Sequence, residues 1–288
     1  MAYVFYQADG YTDPFYARFT SPAQSSLIIG TSKAAQGLRP DVLNKTLPDP
    51  IYNFAFTIAH SPFGPAYLNG IKRKLSQIDI AKRGVFIVTV DAWSISDANV
   101  DPNDETQFDE NKSFLNKLTT VSSKPNIPYL FRFYKNKFAK IFDRDTVAYL
   151  HDDGWLEINT RMDAKTVGIR IQNKAESMKE RITRYRLSET RLSYLRKTIT
   201  YLQERGSVYI VTLPVHPELT KIDAAVIPNF KELMYELSRE TRAPFLDLSQ
   251  ENKDYIYTDG IHLYKDSAAL VSDKIGSWIK QESDQYGN

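Results

Sequence analysis

Residues 27–40 read LIIGTSKAAQGLRP, and this stretch decides how the chain is arranged. An apolar run stops at Gly30, and Thr31, Ser32 and Lys33 follow it directly, ahead of two alanines. That order predicts a short buried strand that runs into the first turn of a helix. Ser32 could then be the N-cap of the helix or a nucleophile at the carboxyl end of the strand. The stretch itself fits both roles, so the choice depends on the rest of the chain.

Strands and helices alternate along the chain outside one long segment. The predicted strands are residues 26–30, 51–58, 84–90, 207–213 and 244–248, and the predicted helices are 41–47, 67–82, 188–205, 229–241 and 266–279. This alternation predicts an α/β fold with a mainly parallel sheet and helices on both faces. Gly206 is expected to end the third helix. Residues 1–24 are predicted to be irregular, and 95–187, rich in charges and scattered aromatics, to be a mixed insertion or cap within one domain spanning 1–288.

Composition excludes several classes of protein. The 288 residues carry a net charge of only +2, which argues against a dedicated nucleic-acid binder. The sequence has no cysteine, so disulfides and thiolate metal sites are impossible. Its 4 histidines lack HxxxH or HxH spacing, which disfavours a zinc site. We therefore expect neither a metal nor an organic cofactor.

The N-terminal stretch MAYVFYQADGYTDPFY lacks the basic and apolar regions of a signal peptide. No apolar run in the sequence approaches the ~20 residues that span a bilayer. Because the chain starts abruptly among aromatic residues, we expect that a native anchor or signal lies upstream of Met1 and is missing from this sequence.

Polar residues follow the predicted strands at the edge where ligands bind in open α/β sheets. Asp259 and His262, within TDGIHL, are the sharpest pair, because a carboxylate three residues before an imidazole can accept its Nδ1 proton and leave Nε2 as a base. Ser32 follows another strand of the same predicted sheet and could be activated by that base. Taken alone, Ser32 is better explained as a helix cap, and Asp259-Gly260 as a turn. Because both are predicted at the carboxyl edge of the same sheet, together they favour catalysis.

GTS at 30–32 and DGIH at 259–262 resemble the first and last blocks of the SGNH (GDSL-like) hydrolases. The resemblance covers roughly residues 25–95 and 188–282. It implies a flavodoxin-like three-layer α/β/α sandwich and a serine hydrolase mechanism. Ser32 would be the nucleophile, His262 the general base and then acid, and Asp259 the residue that orients His262.

The middle blocks depart from that family. Its second block has a glycine as oxyanion donor, but residues 53–64, NFAFTIAHSPFG, have none soon after Asn53, so the backbone N–H of Ile58 or Ala59 is expected to serve instead. Its third block carries an asparagine in GxND, whereas this chain reads TVDAW. An ionised Asp91 there would repel an oxyanion.

TVDAW is more similar to the third block of SGNH-like proteins that move acyl groups on envelope polymers, such as those of teichoic acid D-alanylation and alginate acetylation. That likeness implies an extracytoplasmic, bacterial-envelope location. Trp93, His216, His60 and Trp155 are candidates to line the site, with packing roles as the alternative for each. Lys33 could favour an anionic substrate or point to water.

The resulting hypothesis is a serine esterase or acyltransferase that acts, through an acyl-enzyme, on O-acyl groups, above all acetyl, of a carbohydrate or cell-envelope substrate. Its partners would be acylated carbohydrates or small esters, with no nucleic acid. The alternative is a catalytically degenerate SGNH-fold protein that binds glycan or assists polymer assembly.

Overall fold

The computed structural model describes residues 8–9, 11–119, 121–122, 124–134, 141 and 147–286. Its centre is a parallel five-stranded sheet with the order β2-β1-β3-β8-β9. These strands are β1 (Leu27–Ile29), β2 (Tyr52–Asn53), β3 (Gly84–Thr89), β8 (Gly206–Thr212) and β9 (Phe245–Asp247). Counted within the sheet, the order is the 2-1-3-4-5 of flavodoxin-like folds. The predicted α/β fold class is therefore confirmed.

Alternating side chains bury both faces of the sheet. Ile28 and Ile87 pack on one face, while the residues next to them in sequence, Leu27 and Phe86, pack on the other. Successive side chains of a strand point to opposite faces, so a continuous β-branched run such as VFIVT needs cover on both sides. Each such side chain contributes about 1.5–3 kcal/mol by burial. The molecule thus has two hydrophobic cores, one on each side of the sheet.

Helices supply that cover. They are α1 (Tyr16–Thr20), α2 (Ser32–Gly37), α3 (Pro40–Leu43), α4 (Pro65–Leu75), α5 (Phe114–Lys117), α6 (Ile127–Arg132), α7 (Ala164–Ile182), α8 (Glu189–Gln203), α9 (Pro217–Ala224), α10 (Phe230–Thr241) and α11 (Lys265–Tyr286). Helices α2, α3 and α11 pack in the core with Ile28, and α4, α8 and α10 in the core with Leu27. In the part of the chain that the structure describes, no helix combines the length and apolarity needed to cross a membrane.

Four predicted strands are confirmed to within one residue at each end, but the strand predicted at 51–58 is shorter. Only Tyr52–Asn53 is regular, although Phe54 N–H still donates to Ile28 O at 2.9 Å and Phe56 N–H to Gly30 O at 3.3 Å. The chain then turns, because His60 and Ser61 N–H both bond to Thr57 O.

Several predicted helix bounds were wrong. The helix predicted at 67–82 is α4, which ends at Leu75; the Ser76 hydroxyl then donates to Arg73 O at 2.8 Å, and Asp79 accepts from Ala81 N–H at 2.9 Å in the turn that follows. The helix predicted at 41–47 is α3, which ends at Leu43. Gly206 does not end a helix; it is the first residue of β8, where any Cβ would clash with the backbone of Gly84.

The segment 95–187 contains regular structure that the sequence did not predict. Beside short 3₁₀ turns and helices α5 and α6, it holds a β5–β6 hairpin (Ala148–Leu150 and Leu156–Ile158) and the 19-residue helix α7. β4 (Ser96–Asp97) pairs antiparallel with β7 (Arg186–Leu187) and closes the segment at its base. Helix α1 also lies within the stretch predicted to be irregular. Residues 1–7 and 10 of that stretch lie outside the described residues.

Candidate active site

Ser32 lies at the switch point of the sheet, where the chain leaves β1. The order reverses between β1 and β3, and ligands of open α/β sheets bind at such a point. Gly30 makes the turn with φ +156°, and a Cβ there would clash with Thr89 Oγ1. Its N–H donates to Tyr67 Oη at 2.9 Å and its carbonyl accepts from Ser61 Oγ at 2.8 Å. These two hydrogen bonds hold the backbone that leads into α2 in place.

The capping role considered for Ser32 is wrong. Thr31 occupies the N-cap position, and Ser32 is the first residue of α2. The Ser32 hydroxyl is instead 2.9 Å from Nε2 of His262. Its side chain is thus held by a group 230 residues away in sequence and not by its own helix.

Ser32, His262 and Asp259 form a hydrogen-bonded chain. His262 Nδ1 lies 3.0 Å from both Oδ1 and Oδ2 of Asp259. The Asp259 side chain is 21% exposed and that of His262 13%, so the pair is shielded but reachable. The structure brings together the three residues predicted to be catalytic, in the order that activates a serine.

The loop around Gly260 fixes the Asp259 carboxylate. Oδ1 accepts from the N–H of Ile261 at 3.2 Å and of His262 at 3.1 Å. Gly260 has φ +92°, and its carbonyl accepts from His216 N–H at 2.7 Å. A residue with a Cβ would be strained at this φ and would press on Leu219, so glycine suits the turn. The N–H groups of its own loop therefore hold the carboxylate in one orientation.

A lysine from the insertion contacts the same carboxylate. Lys174, on α7, places Nζ 3.2 Å from Asp259 Oδ2. Burial raises the pKa of Asp259, but the hydrogen bond from His262 and the charges of His262 and Lys174 outweigh it and hold that pKa below its usual range. Asp259 is therefore ionised at neutral pH. Lys174 was not predicted as a site residue, because no helix was predicted over α7.

A cavity of about 70 Å³ opens beside the Ser32 hydroxyl. We call it the acyl cavity. Its walls are Thr31, Ser32, Lys33, Ile58, Asp91, Trp93, Lys174, Ser177, Met178, Arg181 and Ile261. Three predicted site residues, Ile58, Asp91 and Trp93, thus lie around the serine, while Ala59 lines a neighbouring cavity. Ser177, Met178 and Arg181 belong to α7 and were missed for the same reason as Lys174.

Lys33 does not point to water. Its side chain is 7% exposed, and Nζ lies 3.3 Å from Asp223 Oδ1 and 3.4 Å from Asp91 Oδ2. Burial alone would lower the pKa of Lys33. The charges and hydrogen bonds of Asp223 and Asp91 raise it by more, so the pKa lies above its usual value and Lys33 stays charged. Asp223, on α9, also accepts from Trp93 Nε1 at 2.8 Å. Asp91 is consequently a paired carboxylate and not the bare charge that the sequence implied.

His216, Trp155 and His60 lie outside the walls of these two cavities. His216 begins α9, where Nδ1 accepts from Glu218 N–H at 3.3 Å. Trp155 Nε1 donates to Gln36 O at 2.9 Å and so packs against the end of α2. His60 stacks on Phe114 with ring centres 5.2 Å apart. These contacts are those of packing and capping side chains, and a role of the three residues in lining a substrate site stays a prediction.

Among the residues that the structure describes, no three His, Asp or Glu side chains are grouped so as to hold a metal ion. No protein-family model matches the sequence. No curated protein matches it either. Among solved structures, the chain is similar to an inhibitor-bound aryl esterase of M. smegmatis, with a TM-score of 0.39 and 11% identity over 88% of this chain and 97% of that one. A likeness this distant carries no conclusion about activity.

Proposed function

We propose that this protein is an SGNH-type serine hydrolase, an esterase or acyltransferase that acts through an acyl-enzyme. The observation that carries the proposal is the hydrogen-bonded chain from Ser32 Oγ through His262 to Asp259. The geometry supports catalysis over mere structure because the serine hydroxyl lies at the wall of a cavity and the carboxylate is pre-oriented.

In the proposed reaction, Ser32 Oγ attacks the acyl carbon of an ester while His262 Nε2 takes the hydroxyl proton. The ionised Asp259 stabilises the imidazolium that forms. When the tetrahedral intermediate collapses, His262 gives the proton to the departing alkoxide, and an alcohol leaves the acyl group on Ser32. Water or a sugar hydroxyl then attacks by the same steps in reverse, and this choice separates hydrolysis from transfer.

The oxyanion of the intermediate would be stabilised at the start of α2. The first N–H groups of a helix have no acceptor within the helix, so Ser32 N–H is available there. Ile58 lines the same cavity as Ser32, which supports its backbone N–H as the second donor. Lys33 lines the same cavity and offsets part of the negative charge of Asp91 and Asp223, which would otherwise oppose an oxyanion more strongly.

The acyl cavity favours a small acyl group. One water needs about 10–15 Å³ of such space, so about 70 Å³ admits a group of a few heavy atoms, such as acetyl. Ile58, Met178 and Ile261 give the cavity an apolar lining that suits a methyl group. We propose O-acetylated carbohydrate of the bacterial envelope as the substrate class, with an extracytoplasmic location.

Labelling with a fluorophosphonate probe, followed by peptide mapping, tests this function. We expect wild-type protein to be labelled on Ser32 and Ser32→Ala to be unlabelled. Ser177→Ala is the matched control, because Ser177 lines the same cavity but makes no contact with the His262–Asp259 pair. Absence of labelling in folded wild type, together with no hydrolysis of 4-nitrophenyl acetate, would favour the glycan-binding alternative.

A further inference from the structure

A second cavity adjoins the acyl cavity. It measures about 180 Å³ and shares Ile58, Trp93 and Arg181 with the first. We call it the alcohol cavity. Beyond the shared wall it is lined by Ala59, Pro62, Ser96, Asp97, Ala98, Asn99, Asp109, Glu110, Tyr185 and Arg191. An ester bound with its acyl group beside Ser32 could extend its alcohol part into this space.

Most cations on the two walls already pair with carboxylates. Lys174 pairs with Asp259, and Lys33 lies between Asp91 and Asp223. Arg191, in the alcohol cavity, is similarly placed between two carboxylates. Its Nη1 lies 2.7 Å from Glu110 Oε1, and its Nε donates to Asp97 Oδ2 at 3.1 Å.

Arg181 differs from these cations. Its Nη2 donates to the Tyr185 hydroxyl at 2.8 Å, and the guanidinium lies over Trp93 and Tyr185, 5.1 Å and 4.8 Å from the ring centres. Within the described ranges, no carboxylate lies within ion-pair distance of it. A guanidinium has five N–H donors in a planar fork that matches a carboxylate or phosphate. Arg181 thus presents unused donors where the two cavities meet, held in place by aromatic contacts.

We propose that Arg181 binds an oxyanion, a carboxylate or phosphate, carried on the alcohol part of the ester substrate. This inference rests on the proposed function and names a feature of its substrate. The clusters around Lys33 and Arg191 each hold two carboxylates and one cation, so each has a net negative charge. They repel an anion, which is therefore expected to bind next to Arg181. The sequence analysis considered Lys33 as the residue that would favour an anionic substrate. Because Lys33 is paired with Asp91 and Asp223, we assign that role to Arg181 instead.

Matched aryl acetates test the inference. 4-Acetoxybenzoate carries an anion on its alcohol part, methyl 4-acetoxybenzoate is its neutral counterpart, and 4-acetoxyphenyl phosphate distinguishes a phosphate from a carboxylate. We expect wild type to favour the anionic esters by about tenfold in kcat/KM, mainly through KM, as for a hydrogen-bonded ion pair. Arg181→Gln should abolish this preference, measured as the ratio of kcat/KM for the anionic ester to kcat/KM for the neutral ester in the same variant. Arg181→Lys should keep part of it.

Lys179→Gln is the matched control, since it removes one positive charge from an exposed position of the same helix. Binding of the two benzoate esters to Ser32→Ala, measured by calorimetry, reports the preference without turnover. Equal binding of charged and neutral esters there, or a preference that survives Arg181→Gln, overturns the inference. If wild type hydrolyses none of these esters, the proposed function is contradicted instead. The calorimetric comparison then still shows whether Arg181 binds the anion.

Discussion

At the scale of the residue, Lys174 helps to keep the Asp259 carboxylate ionised. Its ammonium lies 3.2 Å from Asp259 Oδ2, and its charge is one of the causes that lower the pKa of Asp259. Lys174→Met removes that charge, so the pKa of Asp259 rises towards its usual value. We expect the variant to be less stable than wild type at pH 7 by up to about 1 kcal/mol, a modest effect because the lysine is partly exposed to solvent. The difference should shrink as the pH falls below about 3.9, and urea midpoints at pH 7 and pH 3 measure it.

Lys174→Arg keeps the charge and is the control. An equal loss of stability in Lys174→Arg would contradict a charge effect on Asp259. A loss in Lys174→Met that stays constant between pH 7 and pH 3 would show that Lys174 acts only through packing.

At the scale of the element, α2 is tied to the sheet by one buried amide. Asn53 follows Tyr52 in β2, and its Nδ2 donates to Ala34 O and Leu38 O, both at 2.9 Å. Asn53→Ala removes the donor to Leu38 O and the acceptor of Ala55 N–H, at roughly 1–3 kcal/mol each before relaxation, whereas Ala34 O keeps the N–H of Leu38. We expect stability to fall by about 3 kcal/mol in urea unfolding and fluorophosphonate labelling of Ser32 to slow, because α2 positions the serine.

Asn173→Ala, on the exposed surface of α7, is the control and should change neither property. If Asn53→Ala lowers stability but labels at the wild-type rate, the amide holds the fold without positioning Ser32.

The elements that sequence predicted well are those with a strong pattern. The buried run VFIVT marks β3 because a strand covered on both faces must be apolar throughout. Helix α7 was missed although Val167, Ile171, Met178 and Ile182 recur at helical spacing, because most of its other residues are polar or charged and only Ile171 and Met178 are buried. Ser32, Asp259 and His262 could be found because local motifs carry them. Lys174 and Arg181 depend on how α7 packs over the site, which no local pattern encodes.

At the scale of the whole molecule, Asp259 links the candidate site to stability against acid. Its folded pKa is held below the unfolded value of about 3.9. A depressed pKa means that the folded state binds the proton less tightly than the unfolded chain. The stabilisation is therefore complete above the unfolded pKa and is lost as the pH falls below it towards the folded pKa. Buried Asp13 and half-buried Asp153, whose pKa values desolvation raises, act in the opposite direction and stay constant in the comparison below.

Asp259→Asn removes this contribution without removing side-chain volume. We expect the variant to be about 1–2 kcal/mol less stable than wild type at pH 7, because a charge-assisted hydrogen bond and an ion pair are lost. The difference should shrink as the pH falls below about 3.9, where wild-type Asp259 begins to bind its proton. Urea midpoints at pH 7, 5 and 3 measure it. Asp109→Asn, at a side chain that is 91% exposed, should show no such convergence. A constant gap between wild type and Asp259→Asn at all three pH values would mean that the carboxylate stabilises the fold by shape and not by charge.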